Sequence, residues 1–249
     1  MEIFGALLAG SFIGAVLGFI GAGGAMISVP ILIYFFGFTP KHATVAALAI
    51  VFLAAFSAVI PKLRKREVLI REAVFVWAIG LVTNLGGAVI AKHLSDNFIL
   101  SGFALILTLA GLSMLRPQVT QNAEKKIPTA TLVALSLVIG SMTGIFGVGG
   151  GFLAIPVLVL GFNSPLGKAA GTSLLIISLN CLTALIGHFA TWNQISWKVP
   201  VVMAVAAVLV SLLASHHSSK VPTIVLKKSF AYLLFAIAFW TIVKTWLLN

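Results

Sequence analysis

The sequence predicts an all-α polytopic membrane protein. It is built of two inverted-topology repeats of about five membrane segments each, with glycine-broken or re-entrant helices. Three observations predict it. First, 60% of the 249 residues are apolar and only 8% are charged, against about 25% charged in a soluble domain. Second, apolar runs of about 20 residues, long enough to cross a bilayer, recur along the whole chain. Third, the chain repeats itself when slid by 126 residues. A β-barrel would show short alternating segments instead.

The elements follow in order. The first apolar segment, residues 3–20, lacks a basic n-region and an obvious cleavage site, so it reads as a membrane segment and not as a signal peptide. Residues 24–38, 42–60, 72–94 and 98–115 complete a first repeat, 1–115. The most polar stretch, "RPQVTQNAEKKIPT" at 116–129, is expected to be a cytoplasmic linker. Segments 130–147, 150–162, 168–189, 199–217 and 230–248 make a second repeat, 130–249, expected to be inverted.

The repeat rests mainly on glycine and proline. A shift of 126 places Gly14 on Gly140, Gly18 on Gly144, Gly21 on Gly147, Gly23 on Gly149, Gly24 on Gly150 and Pro30 on Pro156. Internal duplication is a known plan for transporters. Residues 3–38 as one helix would be about 54 Å long against a core of about 30 Å. Two passes, or a re-entrant pair, are therefore expected, and either leaves each half an odd number of crossings.

Loop charge tests the orientation. The formal net charge is +11, and in the inverted arrangement twelve of the sixteen Lys and Arg residues fall on the cytoplasmic side. They are Lys62, Arg64, Lys65, Arg66, Arg71, Arg116, Lys125, Lys126, Lys168, Lys220, Lys227 and Lys228. Lys41, Lys92, Lys198 and Lys244 remain outside. A parallel arrangement divides them ten to six, so the positive-inside rule prefers the inverted one, with both termini outside. Topology accounts for the basic balance without nucleic acid.

The glycine breaks are the first candidate for chemistry. Irregular backbone is tolerated in a membrane only when it is buried in protein or lines a cavity. The new helix N-terminus at a break offers free N–H groups and a positive dipole end, which favour an anion. An anion site is therefore expected at Gly21, Gly23, Gly24, Gly147, Gly149, Gly150 and Gly151, near the midplane. The plainer reading is close helix packing through small residues. "GVGGG" has a superficial likeness to a dinucleotide fingerprint, but lacks the strand, helix and acidic residue that motif needs.

Beside the second break, "KAAGTSLLIISLNC" (168–181) supplies Thr172 and Ser173, whose hydroxyls could donate to the same anion. Ser and Thr also bond their own backbone or a neighbouring helix. Lys168 and His42 occupy equivalent repeat positions at opposite mouths, where they either draw anions in or, as the simpler role, snorkel to the interface. Asn84 and Asn180 read as helix–helix contacts, and Cys181 reads as a packing residue. No carboxylate falls mid-membrane, as a proton pump or cation carrier would normally need. The single cysteine excludes an internal disulfide, and the histidines show no i, i+4 metal pair. No metal, no cofactor and no enzymatic activity are expected.

The paired "GFIGAGGAMISVP" and "GIFGVGGGFLAIP", followed by "KHATVAAL" and "GKAAGTSL", resemble the sulfite exporter TauE/SafE family, also called 4-toluenesulfonate uptake permeases. The resemblance spans nearly the whole chain. It implies a multi-pass transporter of the bacterial inner membrane, with a small sulfur-containing oxyanion such as sulfite or an organosulfonate as substrate, the lipid bilayer as its medium, and a homodimer left open. The first half departs from the stronger pattern, with Val45-Ala46-Ala47 where the second has Gly171-Thr172-Ser173. The expected mechanism is alternating access. The rivals are an anion channel of the same architecture, or a non-transporting membrane subunit of a sulfur-metabolism complex.

Overall fold

The computed structural model describes residues 2–115, 128–149, 151–158, 162, 166–218 and 223–246. Gly150 and linker residues 116–127, with Arg116, Lys125 and Lys126, lie outside these, as does Lys220. The described residues form α1 (Glu2–Ile20), α2 (Gly24–Tyr34), α3 (Pro40–Arg64), α4 (Ile70–Ala91) and α5 (Asp96–Leu115). After the linker come α6 (Thr129–Phe146), α7 (Gly151–Pro156), α8 (Leu166–Gly187), α9 (Lys198–His217) and α10 (Thr223–Trp246), with a 3-10 turn at Phe189–Gln194 between α8 and α9. Six of these helices, α1, α3, α4, α6, α8 and α9, are long and apolar enough to cross a membrane. The protein is a multi-pass, all-helical membrane protein.

Local chemistry sets the ends of α3. Thr39 caps its N-terminus by accepting from the His42 N–H, and Pro40 occupies the first turn, where its missing N–H costs nothing. Lys62 and Arg64 close its last turn, where cations suit the dipole. The first helix of each half ends at the same point of the repeat, Ile20 and Phe146. Left-handed glycines then follow in register: Gly21 and Gly23 in one half, Gly147 and Gly149 in the other.

Small residues make the packing. A Cβ added at Gly10, Gly14 or Gly18 of α1 would strike the backbone of α9 at Met203, Ala207 and Ser211. A Cβ at Gly140 or Gly144 of α6 would likewise strike α4 at Gly80 and Asn84. In lipid, where apolar area gives little driving force between helices, close backbone approach of this kind holds them together. Each first helix therefore packs on the fourth helix of the other half, and the two run in the same direction. Hydroxyls bind α9 to α3 as well. Ser211 donates to Ala54 O at 2.9 Å and Ser215 to Ala58 O at 2.6 Å.

These contacts fix directions. α1 and α3 both run parallel to α9, so α2 and residues 35–39 carry the chain back between them. α2 has 11 residues and is about 16 Å long, half of a crossing. The equivalent helices α3 and α8 lie side by side and run antiparallel. Gly171 at the start of α8 packs on Lys62 and Glu67 at the end of α3. Thr44 at the start of α3 shares a cavity wall with His188 just past the end of α8.

The centre is α3 and α8. Ala43, Ala46, Ala47, Ala54, Ala55 and Ala58 of α3 are wholly buried. Large apolar side chains turn outward on the flanking helices, among them Phe4, Leu8, Val82, Leu213 and Phe239. That inversion of the soluble pattern suits a lipid surroundings and a close-packed, small-residue interior.

Candidate functional site

The two glycine breaks meet at the centre. A Cβ built on Gly151 would stand 3.4 Å from Ala22 Cα, and one on Gly149 3.9 Å from Ala25 Cβ. Residues 22–25 thus run past Gly149 and Gly151 in the opposite direction. The outer end of each break rests on the central helix of the other half. Gly21 lies against the Ala170 carbonyl, and Gly147 against Thr44. Ala170 and Thr44 are themselves 126 residues apart. Gly21, Gly23, Gly24, Gly147, Gly149 and Gly151 are all buried, whereas Gly150 is outside the described residues.

The break has two physical consequences. Gly23 ends the turn at φ 88°, a region other residues rarely adopt, and α2 begins after it with no side chain capping its N–H groups. The junction is also full in this conformation. A Cβ on Gly151 would run into Ile177, and one on Gly24 into Leu17 at 2.5 Å.

Thr172 and Ser173 are both fully buried. Thr172 Oγ1 donates to Lys168 O at 2.7 Å and accepts the Leu69 N–H at 2.9 Å. Ser173 Oγ donates to Gly151 O at 3.2 Å. Ser173 therefore touches the second break, while Thr172 faces the basic loop 65–69 and not the glycines.

That loop seals one end of the α3–α8 pair. Lys62 Nζ pairs with Glu67 at 2.8 Å, with the lysine side chain 9% exposed. Lys65 Nζ donates to His216 O at 2.9 Å, tying the loop to α9. Arg66 takes φ 56°, rare for a residue other than glycine, and the turn brings Glu67 N–H onto Lys62 O at 2.9 Å. Gly171 packs on the Glu67 carbonyl with no room for a side chain.

The opposite end is open. A cavity of about 310 Å³ is lined by Lys41, His42, Thr44, Lys92, His188 and Gln194, among others, with no carboxylate among the described residues of its wall. Lys41 Nζ donates to Lys92 O at 3.2 Å, which holds the two lysines at one rim. His188 Nε2 lies 2.9 Å from Gly144 O, so Nε2–H donates and the ring is fixed against the end of α6. Burial pushes the imidazole below its ordinary value of 6.5; the Gly144 carbonyl opposes this, and Lys92 adds to it.

Two further polar groups sit deep. Asn84 Nδ2 donates to Asn180 O at 2.9 Å across α4 and α8, as a helix–helix contact should. Cys181 is buried near Gly149, in packing contact. Sequence reasoning missed the open cavity. Of its wall, sequence reasoning reaches His42 as a candidate at the interface and Lys41 and Lys92 as outside charges, but gives His188 no role. The available signal was the repeat itself, which makes His188 the counterpart of Lys62.

Comparisons with known proteins agree on the class. A family described as "Sulfite exporter TauE/SafE" matches residues 6–241. A "Probable membrane transporter protein" of Xylella fastidiosa (strain 9a5c) is 28% identical over 248 residues, covering 95% of this chain and 94% of the relative. YunE of Bacillus subtilis, with the same description, is 24% identical over 214 residues, covering 76% and 78%. A relative of that description in Methanocaldococcus jannaschii is 20% identical over 230 residues, covering 86% of each chain. No solved structure matches the chain.

Proposed function

The chain belongs to the sulfite exporter TauE/SafE family, and from that premise we propose that it is a secondary transporter of small sulfur-containing oxyanions, of the sulfite or organosulfonate class, in a bacterial inner membrane. Two inverted halves rock about the crossing of their glycine breaks, giving alternating access. The observation that carries this reading is the antiparallel pair of equivalent helices, α3 and α8, sealed at the Lys62–Glu67 end and open at the Lys41–Lys92 end. A carrier caught facing one side has this form. By the loop charges the sealed end is cytoplasmic and both termini are outside.

The breaks are the midplane station. The uncapped N–H groups at the start of α2 present a positive dipole end. Gly21, Gly23 and Gly24, with Gly147, Gly149, Gly150 and Gly151, let backbone approach the anion as the halves part. Ser173 supports the second break through Gly151 O, and Thr172 is released to the substrate when the 65–69 loop lifts.

Counterflow tests the reading. Proteoliposomes preloaded with unlabelled sulfite should take up external labelled sulfite faster than empty ones. A conductance far above carrier turnover would make the protein a channel. Absence of binding and flux for sulfite, sulfate and sulfonates would leave it a non-transporting subunit.

A further inference from the structure

We infer that the open cavity holds a selective anion-entry site, with the Thr44 hydroxyl as its deep donor and Lys92, Lys41 and His188 as its cationic wall. The inference rests on the anion-carrier reading and adds a site remote from the glycine junction. Four observations converge on it.

Among the described residues that line it, the wall carries positive and hydrogen-bonding groups and no carboxylate. A concave, low-dielectric mouth of one charge sign concentrates the opposite ion. The start of α3 opens onto the same space, and the positive end of its dipole adds to the lysines. The volume, about 310 Å³, lies at the small end of ligand pockets. It suits a compact oxyanion or a short organosulfonate.

Thr44 supplies the second, independent sign. It lines the cavity and is 2% exposed, yet its Oγ1 has no hydrogen-bond partner among the described residues. Buried hydroxyls without partners are rare and costly. Thr172, one turn into the matching helix of the other half, uses both its donor and its acceptor within the protein. Ser57, Ser211 and Ser215 are also satisfied. The Thr44 hydroxyl therefore holds a donor that the described residues do not use, covered just behind a wall of mixed polar and apolar residues, and an oxyanion that reaches it as the wall shifts is the complementary guest.

The floor leads somewhere. Thr44 Cγ2 and O face Gly147, the left-handed residue that opens the second break. An anion held at Thr44 stands beside the route to the junction. The equivalent residue at the sealed end is Ala170, packed on Gly21. Only the open end has a hydroxyl at this position, so the two faces of the carrier should differ in affinity.

The test uses full-length protein in nanodiscs, titrated calorimetrically with sodium sulfite, sodium sulfate and sodium benzenesulfonate at pH 7.5, with counterflow measured on the same variants. Thr44→Val keeps shape and removes the donor; it should weaken binding about tenfold or more. Thr44→Ser should bind like the parent. Lys92→Gln, at an exposed rim position, should weaken binding and flatten its dependence on salt. If the parent binds and exchanges an anion while Thr44→Val and Lys92→Gln match it in affinity and salt slope, the entry site is refuted and the carrier reading stands. If the parent neither binds nor exchanges any of the three, both fall. Thr44→Val protein that does not fold would leave Lys92→Gln to decide, since its side chain is not part of the core.

Discussion

Lys62 and His188 stand at equivalent points of the two halves, 126 residues apart, at opposite ends of the α3–α8 pair. Lys62 is ion-paired to Glu67 at the sealed end. His188 lines the open cavity, and among the described residues it has no carboxylate partner there. The position equivalent to Glu67 is Asn193, so the second half has no matching acid. One end of the molecule carries a latch that the other lacks.

Glu67→Gln should loosen that latch. The carboxylate is one-third exposed, so screening by solvent limits the pair to about 1 kcal/mol. Opening of the loop should rise about fivefold. Hydrogen exchange should accelerate in residues 65–72 and 167–173 and stay unchanged around Lys92. Equal exchange in the variant and the parent would mean that the ion pair does not hold the end shut.

Thr172→Val removes the acceptor of the Leu69 N–H. A buried donor left without a partner costs about 1–3 kcal/mol, so the melting temperature should fall, and Thr172→Ser should restore most of it. Sulfite counterflow separates the two roles assigned to this hydroxyl. A variant stable enough to assay that exchanges normally would confine Thr172 to the latch.

The all-helical membrane class and the place of the glycine breaks were legible because composition and glycine register are one-dimensional signals. Ile20 and Phe146 end their helices at the same phase because the glycines after them permit a left-handed backbone that other residues resist, and glycine identity is visible in a sequence. What the breaks touch was not legible. That Gly151 meets Ala22 depends on the placement of two segments over 100 residues apart. Thr172 looks like a ligand in the sequence because the donor it accepts from, Leu69 N–H, lies 103 residues earlier in the chain. The cavity wall was hidden for the same reason: Lys41 at the start of α3, Lys92 at the end of α4 and His188 just past α8 look like unrelated interface charges until the helices are assembled.

The breaks should tolerate substitution unequally. Gly147 and Gly149 both hold φ near 70°, so any L-residue there costs about 1–2 kcal/mol. At Gly149 an added Cβ makes a tight contact that a small side-chain shift relieves, 3.3 Å from Ile177 Cγ2, and an ordinary one 3.4 Å from Cys181 Sγ, whereas at Gly147 it stands 2.8 Å from Thr44. Gly149→Ala should insert and fold with a modest loss of stability, and Gly147→Ala should lose clearly more. Gly149→Val, which crowds the junction, should abolish sulfite exchange while the protein remains monodisperse in detergent. Full exchange by a folded Gly149→Val protein would remove the junction from the transport path.

His188 sets the pH dependence. Its imidazole is held below 6.5 in the folded protein, chiefly by burial, so between the folded pKa and 6.5 the unfolded chain binds more protons than the folded one. Stability should therefore rise with pH across this window and be lost as pH falls below about 6.5. An anion in the cavity supplies a counter-ion for the imidazolium, which raises the folded pKa and shrinks the loss. Melting curves at pH 5.5 and 7.5 should differ more without sulfate than with it, and sulfate should bind more tightly at pH 5.5. His188→Asn should reduce both differences. A parent whose sulfate affinity is the same at the two pH values would detach His188 from the anion, leaving Lys41, Lys92 and Thr44 as the entry site.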